Sequence, residues 1–410
     1  MGAWRGFALL LAFLAIAGSA RAQRLLDQLR DAGSASFPQL KFSGQADLRF
    51  ADGGPAVTPF TYNQQGDTGG VSTFTALDLH LMMSAVLSPR TRVFAKLLGT
   101  SDDGGHVDVE SLTITTKLGY GWPVLDVGRF TSPFGKFSQR FLPMDNPLIG
   151  EPLIYTYMTD LPTNQVPASG ADLVTQRGMG QSLQLSNYGA TTTGQSLLTG
   201  GWNLDGLKFS GHRKKLKYAV AITNEPVSAT SFLATHDNRA VTVHFGYKPD
   251  LPLQIGLSAS HGAYLDHAIF VAPAFAPLHI GDFQEDTVGL DVDYAMGPFV
   301  FFGELVYKHW DSPAIPGGLD VTGWFVEPRY KVMPGLYVAL RVDRLHFDTI
   351  PAGTGRAAWD FDATRVEPGL GLILERDLRV KASYEFNTTG GASPVDPRDN
   401  LFQVALIGAF

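Results

Sequence analysis

The chain contains no cysteine, which excludes a disulfide scaffold and a thiolate metal site. Charged residues are sparse at 17%, and their balance is acidic, with a formal net charge of -7. That balance argues against a nucleic-acid partner. After residue 22 no apolar stretch approaches the roughly 18 residues that a transmembrane helix needs. Motifs of chemistry are missing too: there is no G-x-S-x-G, no H-E-x-x-H, no Walker loop and no C-x-x-C. The ten histidines show no ligand spacing. His261, Asp266 and His267 stand together at a strand exit, where a solvated loop outweighs a metal site. No metal and no cofactor is expected.

What is present begins with the N-terminus. MGAWRGFALLLAFLAIAGSARA carries an early Arg5, an apolar run from Gly6 to Ala17, and Ala20-Arg21-Ala22 before Gln23. These are the parts of a secretory signal peptide over residues 1–22. Residues 23–39 follow as a periplasmic leader, with Leu25, Leu26 and Leu29 on one face of a short helix. It either remains a loose leader or plugs the barrel described next.

From residue 40 to 410 the dominant signal is alternation of apolar and polar residues. Sixteen strands are expected: 40–50, 73–87, 91–99, 107–118, 122–130, 202–211, 214–224, 239–248, 253–264, 285–296, 298–310, 320–332, 335–347, 361–374, 378–388 and 400–410. In LRVKASYEF (378–386), Leu378, Val380, Ala382, Tyr384 and Phe386 share one face, and Arg379, Lys381, Ser383 and Glu385 the other. The connections alternate as well. Turns such as Ser88-Pro89, Met296-Gly297 and Met333-Pro334 are tight. The connections between them, 51–72, 100–106, 131–201, 225–238, 265–284, 311–319, 348–360 and 389–399, are long. Tight turns at one end and long loops at the other describe a transmembrane antiparallel β-barrel of the outer-membrane kind. Aromatic residues near the strand ends, among them Trp122, Phe130, Trp202, Tyr247, Trp310, Tyr330, Phe347 and Phe386, read as girdles at the two membrane–water interfaces.

The final strand, LFQVALIGAF (401–410), alternates Phe402, Val404 and Leu406 and ends on Phe410. A sheet in lipid has to close, because an unpaired edge finds no water there, so the last strand is expected to pair with the first. This end resembles the C-terminal signal of bacterial outer-membrane barrels, which implies recognition of Phe410 by the barrel assembly machinery. Gly408 departs from that pattern.

Strand count and loop order together resemble the sixteen-stranded porins of bacterial outer membranes. In that family the third long loop folds inward and narrows the lumen, which implies the same for residues 131–201. That loop has prolines 133, 143, 147 and 152 to stiffen it, and Phe134, Phe137, Phe141, Leu148, Ile154 and Tyr155 to hold it against the wall. Of its charged residues, Lys136, Arg140, Asp145, Glu151 and Asp160 are the candidate constriction group. Pro133-Phe134-Gly135 and KLKYAVAITN (215–224) further resemble the porin O and P type, whose members pass phosphate-like anions. The resemblance also implies a homotrimer, set among outer-membrane lipid and lipopolysaccharide.

Basic residues on the polar faces concentrate in the last strands: Arg329, Lys331, Arg341, Arg365, Arg379 and Lys381 are the candidate pore-lining cations. Two arrangements are open to them. They face the loop carboxylates across the bore and set up a transverse field, or they neutralise acids on neighbouring strands, as in Glu327/Arg329, Arg341/Asp343 and Arg365/Glu367. The expected function is passive diffusion of small hydrophilic solutes or ions through a water-filled channel. The alternatives are an anion-selective, substrate-specific channel and an outer-membrane barrel enzyme.

Overall fold

The computed structural model describes residues 38–53, 73–100, 105–119, 123–180, 183, 185, 192–199, 203–228, 239–249, 252–266, 269, 279–390 and 400–410. The signal peptide and leader expected over 1–39 therefore lie outside the described residues, apart from Pro38 and Gln39.

Alternation folds into strands because one face can meet an apolar medium while the other meets polar groups. The strands are β1 (Gln39–Gly53), β2 (Thr73–Val86), β3 (Thr91–Thr100), β4 (His106–Lys117), β5 (Val124–Thr131) and β6 (Asn203–Arg213). Next come β7 (Leu216–Thr223), β8 (Ala240–Tyr247), β9 (Leu253–Ala263), β10 (Gln284–Met296), β11 (Phe299–Ser312) and β12 (Ile315–Met333). The chain continues with β13 (Leu336–Phe347), β14 (Thr349–Ala352), β15 (Gly355–Ala358), β16 (Asp362–Glu375), β17 (Leu378–Gly390) and β18 (Leu401–Ala409). Sixteen of them, all but β14 and β15, form one closed antiparallel barrel in which each strand pairs with its neighbours in the chain. All sixteen expected strands are present.

Closure is made by β18 on β1, in the register Gln45↔Ala409 to Gly53↔Leu401. Phe410 extends it by one step: the Gly44 N–H donates to the Phe410 carbonyl at 2.9 Å, and the Phe410 N–H to the Gly44 carbonyl at 3.0 Å. The Phe410 ring lies over Gly44, where a Cβ would stand 2.3 Å from the ring. An aromatic ring covering a strand glycine restores the packing that the missing side chain leaves out.

The wall has two chemically distinct faces. Leu48, Ile114, Leu257, Leu305, Val338 and Leu406 are exposed on one. Asp47, Thr113, Ser258, Glu304, Arg341 and Lys381 are buried on the other. A barrel in lipid requires this apolar outside and polar lining.

Three expectations change. Residues 311–319 are not a long loop, because β11 and β12 continue pairing to Ser312↔Ile315. At 19 residues β12 is far longer than the roughly 9–11 residues a tilted strand needs to cross hydrocarbon, so this hairpin exceeds the length of such a crossing. The connection 348–360 holds its own hairpin, β14 with β15. Finally, Phe130, Trp310 and Phe347 are buried in the core rather than placed in a girdle, whereas Tyr247, Tyr330 and Phe386 are exposed as expected. Trp122 and Trp202 lie outside the described residues.

Replacing Phe410 with Ala removes the ring from Gly44 and is expected to cost about 1 kcal/mol of barrel stability. The check is the urea midpoint of the heat-modifiable, compact band on electrophoresis, which should fall relative to the parent protein.

Candidate functional site

Among the described residues of 132–199 regular elements are few: a 3-10 turn at Phe137–Arg140 and two short helices, Leu153–Thr156 and Gly170–Val174. Most of these described residues are nevertheless buried or half-buried. Irregular backbone buried away from water must find partners for its N–H and C=O groups. Here the charged side chains on the polar face of the wall supply them.

Glu304 of β11 is the first such anchor. Its Oε1 accepts from the backbone N–H groups of Lys136 (2.6 Å) and Phe137 (2.7 Å), and its Oε2 accepts from the Tyr155 hydroxyl at 2.6 Å. The Pro133-Phe134-Gly135 turn makes this approach possible. Gly135 sits at φ +62°, and a Cβ there would come within 3.0 Å of both Glu304 and the Tyr155 hydroxyl, so glycine fits the space and the backbone angle together. The neighbouring Gly135 N–H donates to Ser258 Oγ of β9 at 3.0 Å.

Further along, Asp343 of β13 accepts from the Leu153 N–H at 3.0 Å, and Glu367 of β16 accepts from the Gly150 N–H at 3.0 Å. Cations take the opposite part and donate to carbonyls. Lys381 of β17 reaches the carbonyls of Pro143 and Asn146, and that of Leu148 at 3.4 Å. Arg379 donates to the Met144 carbonyl at 2.6 Å, Arg365 to the Glu151 carbonyl at 3.2 Å, and Lys308 to the Leu197 carbonyl at 2.9 Å. The Tyr337 hydroxyl donates to the Pro147 carbonyl at 2.9 Å.

The same wall charges also pair among themselves. Arg341 joins Glu327 at 3.2 Å, Asp343 at 3.5 Å and Glu367. Arg365 pairs with Glu385 at 3.2 Å, and Lys308 with Glu285 at 2.8 Å. The partners thus differ in part from the expected ones: Arg365 takes Glu385 across to β17. Arg329 lies over the Tyr337 ring at 5.5 Å rather than on Glu327, whose carboxylate serves Arg341 and the loop residue Arg140 (3.3 Å). Isolated buried charges would be costly, and this mutual pairing with additional hydrogen bonds is what makes them tolerable.

Of the candidate pore-lining cations, Arg341, Arg365 and Lys381 are fully buried in this network. Arg329 and Arg379 are half-buried and Lys331 is exposed at the end of β12. Of the loop candidates, Lys136 pairs with Asp293 of β10 and Arg140 stacks on Phe302 at 4.5 Å. Asp145 is exposed and Asp160 fully buried. Glu151 is half-buried beside Asp47, Arg49 and Lys381, at a small cleft also lined by Phe141 and Ile407. Burial pushes its carboxyl up to about 7, against the pull of Arg49 and Arg341. Of the loose histidine cluster, His261 pairs with Asp286 at 2.8 Å, and His267 lies outside the described residues.

An apolar core completes the attachment. Phe134, Phe137, Leu153, Ile154 and Tyr155 of the segment pack with Phe302, Val306 and Phe325 of the wall. The sequence carried a sign of this that strand counting passes over. In FVFFGELV (299–306) both faces are apolar, the mark of a strand covered on both sides. The anchoring parts of Glu304, Lys308 and Glu285 had no comparable signal, because a polar face looks the same whether it meets water or a buried backbone.

The opposite part of the wall differs. On β3 to β6, solvent reaches polar-face side chains: Lys96 is 14% exposed, Lys208 18% and Arg129 19%. Arg341 and Lys308, under the loop, are at 0%. The exposed group is paired, Lys96 with Glu110 at 2.8 Å, Lys208 with Asp126 at 3.4 Å and Arg129 with Asp205 at 2.8 Å.

Comparison with known proteins places this geometry in a fold. No family model matches the chain, and no curated protein matches its sequence. Solved structures do match. An OmpF from Salmonella typhi, in complex with daunomycin, is similar over 91% of this chain and 98% of its own, at a TM-score of 0.56 and 11% identity. The anion-selective porin from Comamonas acidovorans is similar over 91% and 100%, at 0.55 and 13%. The outer membrane channel DcaP of Acinetobacter baumannii is similar over 92% and 99%, at 0.51 and 11%. At such identities the likeness is one of fold: the chain has the closed sixteen-stranded barrel of the outer-membrane porins.

Glu304→Leu leaves two backbone N–H groups and the Tyr155 hydroxyl without their acceptor. It is expected to destabilise the protein by roughly 3 kcal/mol, and Glu304→Gln by clearly less. Urea unfolding followed by tryptophan fluorescence measures both, and equal losses for the two variants count against the anchoring role.

Proposed function

We propose that this protein is an outer-membrane porin, a water-filled channel for passive diffusion of small hydrophilic solutes or ions. The observation that carries the reading is the contrast across the barrel. One part of the polar wall lies under the described residues of 132–199, and there Arg341 and Lys308 are out of reach of water. The part over β3 to β6 keeps charged side chains within reach of solvent. Barrels of this strand number are wide enough to leave an aqueous channel. In this reading residues 131–201 fold inward as a constriction loop, and Glu151 faces the passage beside Arg49. Residues 1–22 direct export, 23–39 lie in the periplasm, and Phe410 addresses the assembly machinery. The apolar outer wall meets lipid, lipopolysaccharide and, in a homotrimer, two further copies.

A second reading, preference for anions, is favoured by one observation. Arg329 and Arg379 make no ion pair with a carboxylate among the described residues. Arg329 rests on Tyr337, and Arg379 donates to a backbone carbonyl. With Lys331 they stand near the tight-turn ends of β12 and β17, where they raise the local concentration of anions. The likeness to an anion-selective porin and the resemblance of Pro133-Phe134-Gly135 to the porin O and P type agree with that preference.

Planar-bilayer recording of the purified protein tests both readings. Discrete, ohmic conductance steps are expected, and their absence sinks the porin reading; turnover of a substrate by channel-silent protein would point to a barrel enzyme instead. In a salt gradient, Arg329→Ala with Arg379→Ala is expected to move the reversal potential toward cations. An unmoved potential removes the anion reading and leaves the general pore.

A further inference from the structure

The segment 157–179 is fastened to the long-loop end of the barrel at a place that the wall charges do not reach. The Tyr157 ring packs on Phe347 at 5.7 Å, and Phe347 on Trp359 at 4.8 Å. The short helix Gly170–Val174 lies against β14. The Arg177 guanidinium covers the Phe361 ring at 4.8 Å and donates to the Ala358 carbonyl at 3.5 Å. At the centre of this contact are two carboxyl groups, Asp160 of the loop and Asp360 between β15 and β16, both fully buried.

The two carboxyls lie against each other, and both oxygens of Asp160 are buried with no hydrogen-bond partner among the described residues. Asp360 Oδ1 accepts from the Tyr157 hydroxyl (3.2 Å), the Gly178 N–H (3.2 Å) and its neighbour Phe361 N–H (2.6 Å). Its Oδ2 meets no other donor among the described residues. Asp160 faces the Met179 N–H and Arg177. The remaining charge nearby is Asp362 of β16, which is occupied with His346 at 2.9 Å and Arg344 at 3.6 Å. An ionised carboxylate is an acceptor only. Two adjoining buried carboxyls whose remaining oxygens find no donor can therefore satisfy each other only when one of them carries a proton.

We propose that Asp160 and Asp360 form a proton-operated clasp, in which one shared proton ties residues 157–179 to the barrel rim and its loss to solvent base releases them. Deprotonation leaves two like charges in contact in a dry site, which cannot both persist there. The consequence for conductance rests on the reading of this loop as the constriction; the clasp itself does not. Burial raises both carboxyls, Asp360 to about 7 and Asp160 well above the ordinary carboxylate range. For acids raised in the folded state, the stabilisation is complete below their ordinary pKa of about 4 and is lost as pH climbs through the raised value. The clasp thus holds in acid and opens on the alkaline side of neutrality.

The test uses the full chain folded in detergent, from about pH 5 to about pH 9. Two readouts are taken: amide hydrogen exchange of peptides within 157–179, corrected for intrinsic rates, and single-channel conductance. In Asp160→Asn the side-chain N–H replaces the shared proton at every pH. The parent protein is expected to lose protection above neutrality, by up to about tenfold per pH unit for a single linked proton, while Asp160→Asn stays flat. Asp360→Asn can donate from the other side and is expected to behave alike, which covers a failure of the first variant to fold. The same pH response in parent and variants overturns the clasp, as does protection that rises with pH. An exchange response with unmoved conductance supports the clasp and counts against the constriction reading.

Discussion

Backbone polar groups held away from water have to be bonded, and inside a barrel wall this one constraint organises everything else. The strands meet it among themselves, through closure of β18 on β1. A long irregular segment on the polar face meets it only in part, through scattered bonds such as that of the Leu198 N–H to the Ile154 carbonyl. Its N–H groups at 136, 137, 150 and 153 are taken by carboxylates of β11, β13 and β16, and its carbonyls at 143, 144, 146, 151 and 197 by cations of β11, β16 and β17. Charges suit this work because a charge-assisted hydrogen bond is stronger than a neutral one. Having been brought into a dry place, they must also neutralise one another, and Arg341 amid Glu327, Asp343 and Glu367 shows how.

The division of the wall follows. Where the loop lies, β11 and β12 turn large apolar side chains, Phe302, Val306 and Phe325, to the polar face as well, and these bind the loop by burial. Where it does not lie, the polar face keeps small hydroxyls and exposed ion pairs, with Ser111, Thr113 and Thr115 beside Lys96 and Lys208. A barrel of uniform lining could not do both: an apolar lining all round would refuse water, and a polar one all round would give the loop no core.

Much of this was legible in the residues. Alternation located every barrel strand, since a sustained period of two arises in little besides a strand with unlike faces, and the regular exchange of short and long connections gave the architecture. The hairpin of β14 and β15 escaped because its strands have four residues each, too few for a period to show. The extension of β11 and β12 into residues 311–319 escaped because Pro316, Gly317 and Gly318 read as a loop. The candidate residues were found as charges but not in their roles. Arg341 and Arg329 stand on polar faces of adjacent strands and look alike in the sequence; only the path of residues 132–199 makes the first a buried anchor and leaves the second on an aromatic ring. A polar contact with a segment so distant along the chain leaves no local trace.

That difference bears on how such a wall evolves selectivity. A cation that satisfies three loop carbonyls, as Lys381 does, cannot be exchanged for another charge without orphaning buried groups, which costs more than a bond that was never made. In the porin reading, solute preference therefore has to be set by charges outside the anchoring network. These include Arg329 and Lys331 on the wall, Glu151 on the loop, and the pairs Lys96–Glu110, Lys208–Asp126 and Arg129–Asp205 of β3 to β6. Arg379 is intermediate, since it holds one carbonyl and makes no ion pair. Stability and selectivity are thus written in the same residue types on the same face, and the hydrogen bonds to the loop separate the two.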